Sequence, residues 1–448
     1  MYLELSRSRP LEVCVKDIGE RFRQMVEPRW CGEVIFDKLV SQGPRIRSLI
    51  IHKKWLPLHS RRRCIKGCLP GLETLSIVSE TGWERGVIPP PTRLTALFKD
   101  GLPRLRRLFI PEHTPWPHND FKNLTCICLY NQSDLEEELP ELLRMLRGSP
   151  NLEELYIRRP EYSSDWNRDP PSDLGPAFQA YSLRKFHLHS FSNDAIVSIL
   201  STMRLQPNGV AVNLSDMAIF SDTLDTILSL FPPESGLGSA ERLAVYHDSA
   251  DLSNGPVEII FCSPGGSLKI GGDLAEEDMT ETAISLFGYI YRECAQTLKE
   301  LWIYNFSDQG EKVIFANFSC FNLEKLVLWG CGEDGEAINR LCATLDPGTP
   351  GVQDLPAPLL RSLTIHVVYQ QPQLERVVAL CEGRSRTDHP LQEVSLVYGM
   401  GDIPEWVPRL CDSTPTPIRF STPYDWLEEQ MELPTVCTDE DSWWPAWE

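Results

Sequence analysis

The sequence holds no apolar run near the roughly 18 residues that a membrane-spanning helix needs, which excludes a helical span within it. Its opening residues, MYLELSRSRP, lack the apolar core of a secretory signal. The expected address is therefore cytoplasmic or nuclear. In that compartment the Asn-x-Ser/Thr triplets at Asn123, Asn131, Asn213, Asn305 and Asn317 are accidental, because glycosylation requires secretion. The 14 cysteines likewise read as reduced, buried small hydrophobes and not as a disulfide framework. A surplus of positive charge is missing too. With 43 Lys/Arg against 63 Asp/Glu the net charge is −20, so nucleic acid is not the expected partner. Residues 1–68 are the exception, with 15 Lys/Arg against 7 Asp/Glu. Lys53, Lys54 and Arg61 to Arg63 alone keep nucleic-acid contact open there, beside the plainer reading of a solvated rim.

Catalytic signatures are also absent. The chain has no G-x-S-x-G, H-E-x-x-H, P-loop or glycine-rich dinucleotide motif, so no enzymatic activity and no cofactor are expected. The nearest metal-like grouping is His59 with Cys64 and Cys68. Its spacing departs from C-x-x-C and it lacks a second pair, so no metal site is assigned. Cys126 and Cys128 sit two apart on one expected strand and share a face, which suits small-residue packing better than redox chemistry.

What the sequence does contain is one phrase, repeated. Leu152-x-x-Leu155-x-Ile157 recurs as Ile46/Leu49/Ile51, Leu72/Leu75/Ile77, Leu105/Leu108/Ile110, Leu124/Ile127/Leu129 and Leu183/Phe186/Leu188. It returns as Leu298/Leu301/Ile303, Leu323/Leu326/Leu328, Leu360/Leu363/Ile365 and Leu391/Val394/Leu396. Weaker copies fit at Val13/Val15, Val212/Leu214, Leu243/Val245 and Leu268/Ile270. Self-similarity at such a period marks a solenoid, in which one unit cannot bury its apolar edge alone. The fourth and sixth positions alternate with polar residues and so share one face of a short strand, while the first Leu sits where the chain bends into it.

Between strands come helical returns, such as Glu136–Leu146, closed by Gly148. Further returns are expected at Asp194–Met203, Asp222–Phe231, Thr280–Cys294, Ala337–Leu345 and Leu374–Cys381. Strand followed by helix at this period gives an α/β fold: a leucine-rich-repeat-like solenoid, with a curved parallel sheet and helices on the convex side. The solenoid is expected over residues 1–410. An acidic, Trp-rich tail is expected over 411–448; from Asp425 on it holds eight acidic groups and no basic one. Val87–Pro91, Pro160–Pro176 and Pro347–Pro358 read as loops interrupting the ladder.

Three stretches, YLELSRSRPLEVCV, LLRMLRGSPNLEELYI and NLEKLVLWGC, resemble the F-box/leucine-rich-repeat-like proteins of mushroom-forming fungi. The resemblance covers the ladder from near residue 1 to about residue 410. It implies a substrate receptor of an SCF-type ubiquitin ligase. Only nine residues precede Pro10, fewer than an F-box needs, and Leu139 to Leu143 read as a return helix. The SCF adaptor is thus a partner only where an upstream F-box exists, and the alternative is an F-box-less scaffold with no link to ubiquitin transfer.

A protein substrate is the expected partner, held on the concave face. Third, fifth and seventh positions of each phrase point away from the core. On two neighbouring rungs these are Glu300, Trp302 and Tyr304, then Lys325, Val327 and Trp329. In-register pairing sets Trp302 beside Val327 and Tyr304 beside Trp329, an aromatic patch of the kind that anchors interfaces. A second cluster joins Glu154, Tyr156 and Arg158 to Lys185, His187 and His189. Two readings of the aromatics stay open at this point: a partner site, or a surface covered from within by the Trp443–Glu448 tail.

Overall fold

The computed structural model describes residues 9–15, 41–52, 69–78, 102–111, 121–130, 139–159, 174–206, 209–219, 221–231, 240–247, 256–274, 294–304, 322–329, 336–347, 357–367, 371–398 and 414–421, with Leu39, Gly288 and Val407. The loop Val87–Pro91, most of the other two loops, the return Thr280–Cys294 apart from Gly288 and Cys294, the His59/Cys64/Cys68 grouping and residues 422–448 lie outside them. The chain divides into two compact units between Gln206 and Pro207.

In the first unit β1 (Leu11–Val15), β2 (Ile46–His52), β3 (Thr74–Val78), β4 (Arg107–Pro111), β5 (Cys126–Tyr130) and β6 (Glu154–Arg158) pair in sequence order, all parallel. β7 (Phe178–Ala180) leaves this sheet to pair with β9 (Met203–Leu205), while β8 (Lys185–His189) continues it beside β6. Two helices are described here: α1 (Leu139–Arg147) and α2 (Asn193–Thr202). α1 buries Leu139, Leu142, Leu143 and Leu146, a stripe at three and four spacing. α2 starts at Ser192, whose hydroxyl accepts from the Ala195 amide at 3.3 Å.

The second unit contains β10 (Val210–Ile219), α3 (Ser221–Ser229), β11 (Arg242–His247), β12 (Pro256–Ser263), β13 (Gly266–Leu274), β14 (Glu300–Tyr304), β15 (Lys325–Trp329), α4 (Glu336–Leu345), β16 (Ser362–Val367), α5 (Gln371–Ser385), β17 (Glu393–Tyr398) and β18 (Ile418–Ser421). Its strand order is β10-β13-β12-β11-β14-β15-β16-β17-β18. Here the expectation of a parallel sheet is corrected, because β12 runs antiparallel to both of its neighbours, β11 and β13. The cause is local. Pro264 and Gly265 form a two-residue turn between β12 and β13, too short for anything but a hairpin. The Ser263 hydroxyl steadies the turn, accepting from the Gly265 amide at 3.2 Å and donating to the Gly266 carbonyl at 3.1 Å. β18 also lies inside the stretch expected as tail, paired parallel to β17. Each unit is thus α/β with mostly parallel strands. Among the described residues no helix is long and apolar enough to cross a membrane.

The repeated phrase has a hydrogen-bonded basis. The amide of the first Leu closes a turn onto the carbonyl three residues earlier: Leu72 to Leu69 at 3.0 Å, Leu105 to Leu102, Leu152 to Ser149 and Leu360 to Ala357 at 3.1 Å. Pro70, Pro103, Pro150 and Pro358 occupy the second place of these turns, where a fixed φ is an advantage. The next residue's carbonyl then accepts two amides from the following rung, using both lone pairs. Glu153 and Glu154 both donate to Thr125 (2.8 and 2.9 Å), and Glu324 and Lys325 both donate to Lys299 (2.8 and 2.9 Å). The apolar positions follow suit. Leu49, Leu108, Leu155, Phe186, Leu243, Leu326 and Leu363 are all fully buried.

One irregularity needs glycine. β10 bulges between Leu214 and Met217, with Asp216 at φ 55°, and a Cβ on Gly272 of the paired β13 would run into the Met217 backbone.

Candidate partner-binding face

In-register pairing turns equivalent positions of successive rungs into rows. In the second unit the fifth-position row runs Ile260, Ala244, Trp302, Val327, Thr364, and the seventh-position row runs Glu258, Tyr246, Tyr304, Trp329. Trp302 therefore pairs with Val327 and Tyr304 with Trp329, as the phrase alignment predicts. Exposure, which the sequence left open, divides the row pairs. Trp302 is 2% exposed and Val327 fully buried, so neither offers a free surface. They join Ala244, Ile260, Cys262 and Val397 in an apolar cluster, against which Tyr246, Tyr304 and Trp329 pack half-buried.

The reason is a size match that only the strand order creates. Ala244 and Val327 flank Trp302 and leave room for its indole. Tyr304 lies nearly parallel to that indole (13°, centroids 6.2 Å apart), and the Lys325 ammonium sits 4.5 Å from the ring centroid. The indole N–H donates to Glu300 Oε2 at 3.3 Å. Tyr246, which the sequence reading did not single out, stacks on Tyr304 at 4.2 Å and 15°. Trp329 closes the row 6.5 Å from Tyr304. Burial raises the Tyr304 and Tyr246 phenols above their ordinary range; the hydrogen bond they share raises Tyr304 further and lowers Tyr246. Tyr246 was legible only as the seventh position of a weak phrase, at Leu243/Val245. Nothing local to that phrase says that β14 is its neighbour.

In the first unit the register sets Tyr156 beside His187 and Arg158 beside His189, as expected. Burial again departs from an exposed face: Tyr156 is 4%, His187 1% and His189 5% exposed. The rings meet edge to face, Tyr156–His187 at 6.4 Å and His187–His189 at 6.3 Å. Arg158 stays half-buried with its guanidinium 5.5 Å from the Tyr130 ring. Cys126 and Cys128 are buried and unbridged. Burial pushes the Cys128 thiol well above its ordinary range, and a hydrogen bond with Cys126 adds to the effect. That is the opposite of an activated thiolate. Among the described residues no three His, Cys, Asp or Glu side chains gather as a metal site would require.

A polar groove of about 540 Å³ lies at the strand entries of the first unit, between Glu73 on the approach to β3 and Ser182 on the approach to β8. Its floor is a side-chain ladder that sequence reasoning missed. The residue just before the first Leu donates to the turn of the preceding rung: Asn123 Nδ2 to the Pro103 carbonyl (2.7 Å) and Ser182 Oγ to the Pro150 carbonyl (3.1 Å). Asn322 repeats the contact on Gln296 in the second unit. The available signal was a small polar residue recurring before that Leu.

A scan against protein-family models finds no match for this chain, and a search of curated proteins finds none either.

Proposed function

We propose that the chain is a leucine-rich-repeat-like solenoid, its sheet curved and its helices on the convex side, that recognises a protein partner and carries out no catalysis. The observation that supports this most is the row Tyr246–Tyr304–Trp329. It consists of three half-buried aromatic rings on adjacent strands, held by the buried cluster beneath them. Rigid aromatic side chains seated on a packed layer lose little entropy on binding and are common interface anchors. Trp302 and Val327 serve this face as its foundation, not as contacts, and Tyr156, His187 and His189 are buried in the same way within the first unit.

The resemblance of the rungs to F-box/leucine-rich-repeat-like proteins makes the partner a substrate for an SCF-type ubiquitin ligase, in the cytoplasm or nucleus. The same face would serve an F-box-less scaffold. The test is affinity capture with the wild-type chain and with Tyr304→Ala/Trp329→Ala, followed by titration with purified ligase adaptor. A partner lost from a double variant that still unfolds cooperatively, with only the modest loss of stability expected of two half-buried rings, supports recognition through this row, and an equally retained partner removes it. Adaptor binding separates ligase receptor from scaffold.

A further inference from the structure

The groove of the first unit faces a different chemistry from the aromatic row and stands independently of it. It crosses the entries of β3, β4, β5, β6 and β8. Four steps of roughly 4.8 Å make about 19 Å, the length of about six extended residues at roughly 3.3 Å each.

Its charges are unevenly used. Glu73, at one end, is held by Arg47 at 2.8 Å. Arg104 and Arg106 stand exposed on the β4 rung, and neither guanidinium meets a carboxylate among the described residues. The centre is thus cationic, while Glu73 and Glu153 flank it. Asn123 and Asn151 line the floor; Asn123 spends an amide N–H on Pro103 and keeps its oxygen as an acceptor for a backbone amide. Among the described residues no aromatic side chain lines the groove for a base to stack on, and the flanking carboxylates repel a continuous phosphodiester. Apolar ligands gain little there, since Pro103 is the one apolar side chain among the described residues that line it.

We propose that this groove binds an extended peptide segment bearing carboxylates on alternate residues, seated over Arg104 and Arg106, with uncharged residues over Glu73 and Glu153. Carboxylates two apart fall on one side of an extended chain, and each suits the fork of a guanidinium.

The test uses the full chain and a fluorophore-labelled, end-capped peptide, Gly-Ser-Glu-Thr-Glu-Thr-Ser-Gly, read by fluorescence polarisation. The control peptide carries Gln for both Glu. The acidic peptide should bind at least about tenfold tighter than the Gln peptide, a difference set by two charge-assisted pairs. Arg104→Gln/Arg106→Gln should abolish that preference at unchanged melting temperature, as both side chains are exposed. Arg144→Gln, on the exposed side of α1, should leave it intact. The proposal is overturned by equal binding of both peptides, by no saturable binding of either, or by an affinity that survives the double substitution. It is also overturned if an eight-residue uridine oligonucleotide displaces the peptide at lower concentration than unlabelled peptide does, which would make the groove a polyanion site.

Discussion

The two units use the same rung and the same register, yet build different second layers on it. At the fifth position the second unit sets Ile260, Ala244, Trp302 and Val327 side by side. The first unit sets Ser76, Phe109, Cys128, Tyr156 and His187 there. The four of the second unit are apolar and graded in size around a single indole before the row runs on to Thr364; the row of the first unit is mixed throughout and carries hydroxyl, thiol and imidazole groups. The fourth and sixth positions hardly vary between units, because in each unit they fill its core. The difference teaches that the phrase specifies a scaffold, and that recognition chemistry resides in positions the phrase leaves unspecified. Buried arginines follow the same division. Arg159 of the first unit lies over the Phe191 ring at 5.7 Å and donates to the Ser190 carbonyl. Arg384 of the second is fully buried and donates to the carbonyls of His389, Leu345, Ala357 and Leu360 at 3.1 to 3.5 Å. It ties the end of α4 to the turn before β16, and burial lowers its pKa to about 10, which leaves it charged at neutral pH.

The contrast can be broken most severely in the second unit. Arg384→Met should cost about 3–5 kcal/mol in urea unfolding, because buried carbonyls lose a charged donor. A loss below about 1 kcal/mol would mean that water replaces it. Trp302→Ala should cost a similar amount, about 3–5 kcal/mol, as a large buried ring leaves a cavity. Tyr304→Ala or Trp329→Ala, two residues further along the same strands, should cost clearly less, about 1–2 kcal/mol, since each side chain is already partly in water. If all three cost the same, the row is core and not surface.

Alkaline titration sharpens the point without a cavity. The Tyr304 phenol is raised above its ordinary 10.0 by burial first and by the neighbouring Tyr246 phenol. A raised phenol favours the folded state while protonated, and the unfolded chain ionises first. That stability is complete below the unfolded value of 10.0 and is lost as pH climbs above it. Melting temperature should therefore fall above this pH, and fall less in Tyr304→Phe. Smallest of all is the rim. Arg47→Ala, which removes a half-exposed pair with Glu73, should change stability by no more than about 1 kcal/mol.

Much of the ladder was legible because its signal is local. Leu-x-x-Leu-x-Ile carries both a period of two and a bend, so strands such as Glu300–Tyr304 and Lys325–Trp329 and their mutual register follow from aligning the phrase. Helices with apolar stripes, such as Leu139–Arg147, were equally plain. β12 was not, since Val257–Cys262 lacks the phrase, and its antiparallel partners depend on a two-residue turn. The candidate site was half legible: the pairs were right, whereas alternation left exposed and covered aromatics both open, and Trp302, Val327, Tyr156, His187 and His189 are buried.

By itself the sequence determined the rung: which residues form the strands that carry the phrase, which of their side chains fill a core, and which cluster of charge sits where along the chain. Alternation says on which side of a strand a residue lies. It does not say what lies beyond that side. That depended on which strands become neighbours, a pairing between residues far apart in the chain, as when Ala244 and Val327 close on Trp302 from 58 and 25 positions away. The tertiary structure alone decided it, because burial is a property of neighbours in space and not of a residue's place in its own phrase.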